Sequence, residues 1–235
     1  MILAAGLGTR LGDLTRDTPK ALIEVGGVPV LERVARRLVD AGADHLIINV
    51  HHFADRIIEF VSSRDDFGVA VTFSREDAAP LETGGGLLHA SPLIRREGSF
   101  FLHNVDVLSD VNLSAMYRAH VESAGLATLA VNRRQTKRYL LFDDAGLCGR
   151  MGASGAGAEF HTDCADPVPF AFAGIHVISP ALLDLITETG AFSMIDLYLR
   201  LVSEGRPIGR YDMGGAQWLE IGSPERLDEA RRALG

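Results

Sequence analysis

The chain has 235 residues, of which 47% are apolar and 23% are charged, and its formal net charge is -8. This composition is typical of a folded globular protein, and the sequence contains no apolar run of about 18 residues that would predict a membrane span. No run of Lys or Arg exceeds two residues, which argues against a nucleic-acid-binding surface.

The length allows one large α/β domain, and no linker interrupts the chain. Residues 1–10 have no basic stretch ahead of their apolar residues, so we predict no secretory signal. Cys148 and Cys164 lack the CxxC spacing of a metal or redox motif. We therefore expect both to be reduced thiols in a cytoplasmic protein.

The first half of the chain alternates between strand and helix patterns. Such alternation predicts a mostly parallel sheet with helices on both faces and with ligands bound at the carboxyl ends of its strands. The predicted segments are a strand at 2–5, a helix starting at Pro29, a strand at 46–50, a helix at 54–61, a strand at 69–73, a glycine-rich turn at 83–86 and a strand at 100–103.

The second half begins with strand patterns and ends with helices. We predict a closing helix at 224–234 with Ser223 as its N-cap, and Arg226 stands where a capping box would have an acidic residue. The other predicted segments are strands at 126–131, 139–142, 147–151, 170–178 and 208–211, a mobile loop at 152–166, and helices starting at Pro180 and at Ser193.

These patterns together predict an α/β fold. We expect a Rossmann-like three-layer sandwich with a mostly parallel, mixed central sheet and a small β-hairpin extension, formed by residues 1–235 as one domain.

A glycine loop follows the first predicted strand, in the segment from Leu3 to Arg10. Backbone N–H groups in such a loop can hold phosphate oxygens because no Cβ is in the way. Leu11 stands where a dinucleotide fingerprint needs a small residue, and no GK[ST] follows to form a P-loop. A different kind of phosphate site is indicated.

Lys20 is a candidate phosphate ligand. The chain has 21 arginines and only two lysines, so a lysine at this position goes against the general preference. A compact ammonium group can act as a point charge on a phosphate where a planar guanidinium does not fit. The alternative is a solvent-exposed lysine that follows Pro19.

Two acidic residues are candidate metal ligands. Asp106 ends the segment Asn104-Val105-Asp106 after a predicted strand, and Glu220 lies two residues after the only tryptophan, Trp218. Two carboxylates together with substrate phosphates are sufficient to hold Mg²⁺, which keeps several waters. Asp106 could equally form a turn or a helix cap.

The motifs in this order resemble the sugar-1-phosphate nucleotidylyltransferases over the whole chain. That family has the patterns LAAGxGxR, PK, NGD and WxDxG, and a stretch near the nucleobase that corresponds here to Leu81-Glu82-Thr83-Gly84-Gly85-Gly86. The Glu-Thr-Gly-Gly-Gly version is most similar to bacterial N-acetylmuramate-1-phosphate uridylyltransferases, and the family also includes mannose-1-phosphate guanylyltransferases.

The resemblance implies an Mg²⁺-dependent enzyme that joins a nucleoside triphosphate, with UTP favoured, to a sugar-1-phosphate. It implies a nucleotide-binding half at 1–110 and a sugar-binding half at 111–235, in a monomer or small homo-oligomer. It assigns catalysis to Arg10 and Lys20, and Mg²⁺ to Asp106 and Glu220. The implied substrate contacts are Leu3, Ala4, Ala5, Gly6, Gly8, Thr9, Thr83 and Gly84 for the nucleotide, and Asn104, Glu159 and Trp218 for the sugar.

Three positions depart from the family pattern: Val105 replaces Gly, Glu220 replaces Asp, and Gly12-Asp13 replaces a pair such as Arg-Pro. We expect Val105 to narrow the pocket, and Glu220 to need a receding strand or a folded-back side chain to hold a metal. The lysine that many relatives bring to the sugar phosphate is also missing. Arg133, Arg134 or Arg138 could take its place.

Two other functions remain open from the sequence. One is a non-catalytic subunit that binds a nucleotide sugar, suggested by Val105 and Glu220. The other is a nicotinamide-dependent oxidoreductase, suggested only by Gly6 and Gly8 after a strand.

Overall fold

The computed structural model describes residues 1–152 and 157–235. Its helices are Val30–Asp40 (α1), Ala54–Ser63 (α2), Glu82–Ala90 (α3), Leu113–Ser123 (α4), Met194–Ser203 (α5) and Pro224–Leu234 (α6). Its strands are Ile2–Leu3 (β1), Glu24–Val25 (β2), Val28–Pro29 (β3), His45–Val50 (β4), Ala70–Arg75 (β5), Phe100–Asn104 (β6), Val107–Ser109 (β7), Ala127–Asn132 (β8), Tyr139–Phe142 (β9), Leu147–Met151 (β10), Ala158–Phe160 (β11), Val168–Ile178 (β12), Gly209–Asp212 (β13) and Trp218–Glu220 (β14).

Within these residues, ten strands form one mixed sheet. Its first part is parallel, in the order β6-β1-β4-β5. The long strand β12 pairs antiparallel with β6, β8 and β9. Strands β10 and β11 extend the sheet from β9, and β13 pairs parallel with β8 at the other side. The switch from parallel to antiparallel pairing therefore occurs at the β6–β12 junction.

Apolar side chains are buried on both faces of the sheet. Along β4, Leu46 and Ile48 pack in the cluster that contains the apolar face of α1, whereas Ile47 packs in the opposite cluster with Leu87 of α3. This alternation is what a strand buried on both faces requires. The predicted three-layer α/β sandwich with a mixed sheet is confirmed.

The glycine-rich segment 83–86 is not the predicted turn, because it lies inside α3. A Cβ on Gly84 would lie 2.3 Å from the Phe192 ring, and one on Gly85 would lie 2.4 Å from the Gly190 carbonyl oxygen. These glycines allow a helix to approach a neighbouring loop closely. The glycines in this segment therefore reflect close packing and not a turn.

The prediction of two reduced cysteines is wrong in this structure. Cys148 of β10 forms a disulfide with Cys164, and the two Cα atoms are 5.6 Å apart. The pairing of β10 with β11 folds the chain back and brings the two residues together, which their spacing in the sequence does not show. The predicted loop at 152–166 thus contains β11, and its residues 153–156 lie outside the described part.

Other predicted details agree with the structure. The β9–β10 hairpin is present, and its turn is held by the Asp143 carboxylate, which accepts the N–H groups of Ala145 and Gly146. Ser223 caps α6, since its hydroxyl accepts the Arg226 N–H. In the described residues, no helix has the length and apolar character needed to cross a membrane.

Candidate active site

Two adjoining cavities open at the carboxyl ends of the parallel strands. The smaller has a volume of about 560 Å³ and the larger about 1440 Å³. They share the side chains of Arg10, Asn104, Asp106, Arg138 and Ser193. The two cavities therefore form one cleft with these residues at the junction.

The smaller cavity contains the glycine loop after β1. A Cβ on Gly6 would meet nothing within 4 Å, so this part of the loop borders open space. Gly8 has a φ of +67°, and a Cβ there would lie 2.9 Å from the Thr15 methyl carbon and 3.2 Å from the Lys20 Cβ. Glycine at position 8 is what lets Lys20 lie close under the loop.

The N–H groups of Gly6, Leu7 and Gly8 have no acceptor among the residues that the structure describes. Loop N–H groups left free in this way can bind phosphate oxygens. Ala4 differs, because its N–H donates to the Asn49 carbonyl at 2.9 Å and it lines neither cavity. Of the predicted loop contacts, Leu3, Ala5, Gly6, Gly8 and Thr9 line the smaller cavity.

Lys20 and Asp106 form an ion pair at the junction. Only 10% of the Lys20 side chain and 22% of the Asp106 side chain are exposed. Lys20 begins a 3-10 turn, Lys20–Leu22, and Asp106 follows β6. The structure thus brings together two predicted residues that are 86 positions apart in the sequence. The alternative of an exposed Lys20 is wrong.

The other end of the smaller cavity is lined by two polar residues that sequence reasoning missed, Asn49 and Glu76. The Glu76 carboxylate accepts the Asn49 amide and the Leu81 N–H, each at 2.8 Å. Both side chains are almost fully buried. Their positions in the sequence could have indicated them, because each polar residue lies within or directly after a buried strand, at the edge where such sheets bind ligands.

Thr83 lines the same end of the cavity, whereas Gly84 does not. The Thr83 hydroxyl accepts the Met194 N–H at 2.9 Å. The Gly84 N–H donates to the Phe192 carbonyl at 2.8 Å, so it is occupied within the protein. The structure gives Gly84 a role in packing α3.

The larger cavity contains the three residues predicted for the sugar, Asn104, Glu159 and Trp218. The Trp218 indole donates to the Ala173 carbonyl at 2.9 Å. The Asn104 side-chain oxygen is buried and has no partner within the described residues. Glu159 is half-exposed and pairs with Arg150 at 2.6 Å, which lowers the pKa of the Glu159 carboxyl.

Arg134 also lines this cavity and lies 3.7 Å from the Trp218 ring. Its guanidinium donates to the Asn132 side chain and to the Phe172 carbonyl. Burial lowers the pKa of Arg134 to about 10, so it stays a cation at neutral pH. Arg138 lines both cavities and Arg133 lines neither, which favours Arg134 and Arg138 among the three candidates for the sugar side.

Glu220 lies beside Asp106 in the fold. The Ile221 N–H donates to the Asp106 carbonyl at 3.0 Å, and Glu220 pairs with Val107 across the β7–β14 ladder. A Cβ on residue 222 would lie 2.5 Å from Glu220 Oε1, so Gly222 leaves space for the longer acid. The Glu220 side chain uses the space over Gly222.

Asp106 and Glu220 carry carboxylate oxygens, which a hard cation such as Mg²⁺ prefers as ligands. The buried Asn104 oxygen, which has no partner within the described residues, can accept a hydrogen bond from a group bound in the cleft. Among the described residues, the only cluster of three metal-ligating groups is Asp143, Cys148 and Cys164, and its sulfurs are joined in the disulfide. A metal in the cleft would therefore need substrate oxygens as well.

Val105 lines the smaller cavity and is nearly buried, and the narrowing of the pocket stays a prediction. Its φ is not positive, so the position does not require glycine and the valine is unstrained. The departure from the family pattern at position 105 therefore introduces no backbone strain.

Comparison with known proteins identifies relatives along the whole chain. A model of the nucleotidyl transferase family matches residues 1–141. N-acetylmuramate alpha-1-phosphate uridylyltransferase of Caulobacter vibrioides is 33% identical over 240 residues, which cover 96% of this chain and 92% of that protein. Mannose-1-phosphate guanyltransferase of Kluyveromyces lactis is 28% identical over 236 residues, which cover 96% of this chain and 61% of that protein.

The fold is also known from solved structures. UDP-glucose pyrophosphorylase of Acinetobacter baumannii superimposes with a TM-score of 0.81 at 20% identity, covering 100% of this chain and 92% of that one. The family model covers more than half of this chain, and the Caulobacter relative exceeds 30% identity over almost its whole length. The chain belongs to the nucleotidyl transferase family, among its sugar-1-phosphate enzymes.

Proposed function

We propose that the protein transfers a uridylyl group from UTP to a sugar-1-phosphate in an Mg²⁺-dependent reaction. A phosphate oxygen of the sugar-1-phosphate forms a bond to the α-phosphorus of UTP, the bond to the β-phosphate breaks, and pyrophosphate leaves. The observation that supports this proposal is the single cleft in which Asp106 and Asn104 lie where the two cavities meet, with Lys20 paired to Asp106 from the smaller cavity.

UTP is favoured because the Caulobacter relative that is aligned over 92% of its own length is named as a uridylyltransferase. The guanyltransferase of Kluyveromyces lactis aligns over only 61% of its length. The same comparison proposes N-acetylmuramate-1-phosphate as the first sugar phosphate to test. A cytoplasmic location belongs to this proposal, since nucleoside triphosphates are cytoplasmic substrates, and the Cys148–Cys164 disulfide is the feature that is unusual for that compartment.

The residues of the chain would act mainly by position and charge. The free N–H groups of Gly6 and Gly8 and the Arg10 guanidinium would bind the triphosphate. Lys20 would move from Asp106 to the phosphates that react and stabilise their developing charge. On the sugar side, Asn104, Glu159 and Trp218 would orient the sugar ring.

Asp106 and Glu220 would hold Mg²⁺. When bound, the ion would neutralise phosphate charge and polarise the phosphoryl oxygens. Lys20 and the arginines beside Glu220 would then be free to contact the phosphates. The positive charge of Mg²⁺ would replace theirs beside the carboxylates, and their own charge would offset that of the phosphates.

The test is pyrophosphate release with Mg²⁺ for each nucleoside triphosphate paired with a panel of sugar-1-phosphates that includes N-acetylmuramate-1-phosphate. We expect turnover with UTP, and no release when either substrate is omitted. Turnover only with another nucleotide would contradict the uridylyl proposal. Failure of every pair to react would contradict the enzyme assignment.

A second candidate is a non-catalytic subunit that binds a nucleotide sugar. It is favoured by one observation, that both candidate metal carboxylates are already paired with cations of the protein. Binding of triphosphate without turnover, followed by turnover in a Val105→Gly, Glu220→Asp variant, would support it.

A further inference from the structure

Arg226 is not explained by the helix in which it lies. It is the third residue of α6, and its N–H is capped by Ser223. A capping box has Glu or Gln at this position, and a cation in the first turn opposes the helix dipole. Residues that contradict local sequence preferences, as Arg226 does at the start of a helix, are expected mainly at functional sites.

The Arg226 side chain reaches the cleft. Its guanidinium donates to Glu220 Oε2, lies 5.9 Å from the Trp218 ring and lines the larger cavity. The other oxygen of the Glu220 carboxylate is 3.5 Å from the Arg10 guanidinium. Glu220 is thus flanked by two arginines.

Asp106 is paired in the same way by Lys20. A metal ion and a guanidinium compete for one carboxylate, because each needs its negative charge and its lone pairs. In the state that the structure shows, protein cations hold both candidate metal ligands.

Resting on the proposed function, we propose that Arg226 is a positioning residue that holds Glu220 as an internal counter-ion until a substrate phosphate draws it away. Metal binding and phosphate binding would then assist each other. Arg226 suits this exchange, because a guanidinium binds phosphate with two hydrogen bonds and 47% of the side chain is exposed and able to turn.

The coupling is tested by Mn²⁺ binding, followed by electron paramagnetic resonance of the free ion. Mn²⁺ prefers the same oxygen ligands as Mg²⁺. With substrate-free protein, we expect Arg226→Gln to bind Mn²⁺ about twofold to fivefold more tightly than the wild type, which corresponds to a partly exposed ion pair. Arg226→Lys keeps the charge and should restore wild-type affinity.

Two controls separate this effect from a structural one. Arg231→Gln removes a positive charge from the same helix outside the cleft, where Arg231 contacts Glu24 and Asp228, and should leave Mn²⁺ affinity unchanged. Glu220→Gln should abolish the gain from Arg226→Gln. Adding glucose 1-phosphate should tighten Mn²⁺ binding to the wild type more than to Arg226→Gln.

The outcomes distinguish the inference from the function on which it rests. If the wild type turns over substrate and binds Mn²⁺, but Arg226→Gln binds Mn²⁺ with unchanged or weaker affinity, the counter-ion role is overturned. If the wild type shows neither turnover nor Mn²⁺ binding with phosphate present, the proposed function itself fails.

Discussion

The two halves of the cleft hold their functional groups in different ways. At the smaller cavity, Asn49 and Glu76 are buried side chains fixed by hydrogen bonds at the ends of parallel strands, and Lys20, in a 3-10 turn, is buried against Asp106. At the larger cavity, Arg10 and Arg226 are 69% and 47% exposed and are held by ion pairs. The polar side chains at the smaller cavity are thus fixed by burial, whereas the exposed arginines at the larger cavity can change conformation.

This difference follows from the sheet. Parallel strands place several loops at one edge, and most buried polar groups are hydrogen-bonded, as Asn49 and Glu76 are, whereas the Asn104 oxygen is an exception. Arg10 and Arg226 instead pair with Glu220 of β14, outside the ten-stranded sheet, and such exposed ion pairs contribute little to stability. We infer that Lys20, in the first half, acts on the reacting phosphates, whereas Glu159 and Trp218, in the second half, act on the sugar.

The strongest test of this contrast is Lys20→Met. Loss of a preorganised donor to reacting phosphates lowers kcat by about 10²–10³. The matched control is Lys137→Met, the other lysine of the chain, which lies exposed at the larger cavity. Steady-state kinetics should show a much smaller effect for Lys137→Met, and equal losses in the two variants would contradict the contrast.

The disulfide belongs only to the second half. Cys148 and Cys164 are 16 positions apart, and closing a loop of this length contributes about 3 kcal/mol. We expect the Cys148→Ser, Cys164→Ser variant to lose about that much free energy of unfolding in urea titrations, with Lys20-dependent turnover retained. Addition of a reductant should destabilise the wild type and leave the variant unchanged. Equal stability of both proteins would restore the expectation of reduced thiols.

The parallel half of the fold could be predicted from the sequence because its signals are local. The strand around Ile48, the helix after Pro29 and the glycine loop each have a pattern within about ten residues. Lys20 and Asp106 were found by residue type and resemblance, and the structure shows them in contact. Their ion pair follows from sheet order, which no local pattern contains.

The rest depends on long-range register. Glu76 and Asn49 meet because β4 and β5 are neighbours in the sheet, and Gly84 is needed because α3 packs against Phe192. The disulfide depends on the pairing of β10 with β11. None of these contacts follows from spacing in the sequence.

The junction of the two halves can be probed by pH. His103 of β6 and His176 of β12 lie in paired strands, and burial lowers their pKa values to about 4 and about 3. An unfolded histidine has a pKa of about 6.5. Between these values the unfolded chain binds more protons, so stability is complete above pH 6.5 and falls as the pH drops towards 4.

Each histidine adds a slope of up to about 1.4 kcal/mol per pH unit. We expect His176→Asn to reduce the pH dependence of the free energy of unfolding by about one proton. Exposed His52→Asn serves as the control and should leave the slope unchanged. An unchanged slope in His176→Asn would contradict the prediction that burial at the junction keeps His176 unprotonated in the folded protein.

The smallest expected effect concerns the sugar side. Trp218 presents its ring to Arg134 at 3.7 Å and its N–H to Ala173. A contact between a cation and an aromatic ring contributes about 1 kcal/mol, so Trp218→Leu should raise the KM for the sugar-1-phosphate about fivefold. The KM for UTP should not change, because Trp218 lines only the larger cavity.

Trp218→Phe keeps an aromatic face and should recover most of the loss. Initial rates with each substrate varied in turn measure this separation, and an equal rise in both KM values would show that the two cavities act as one site.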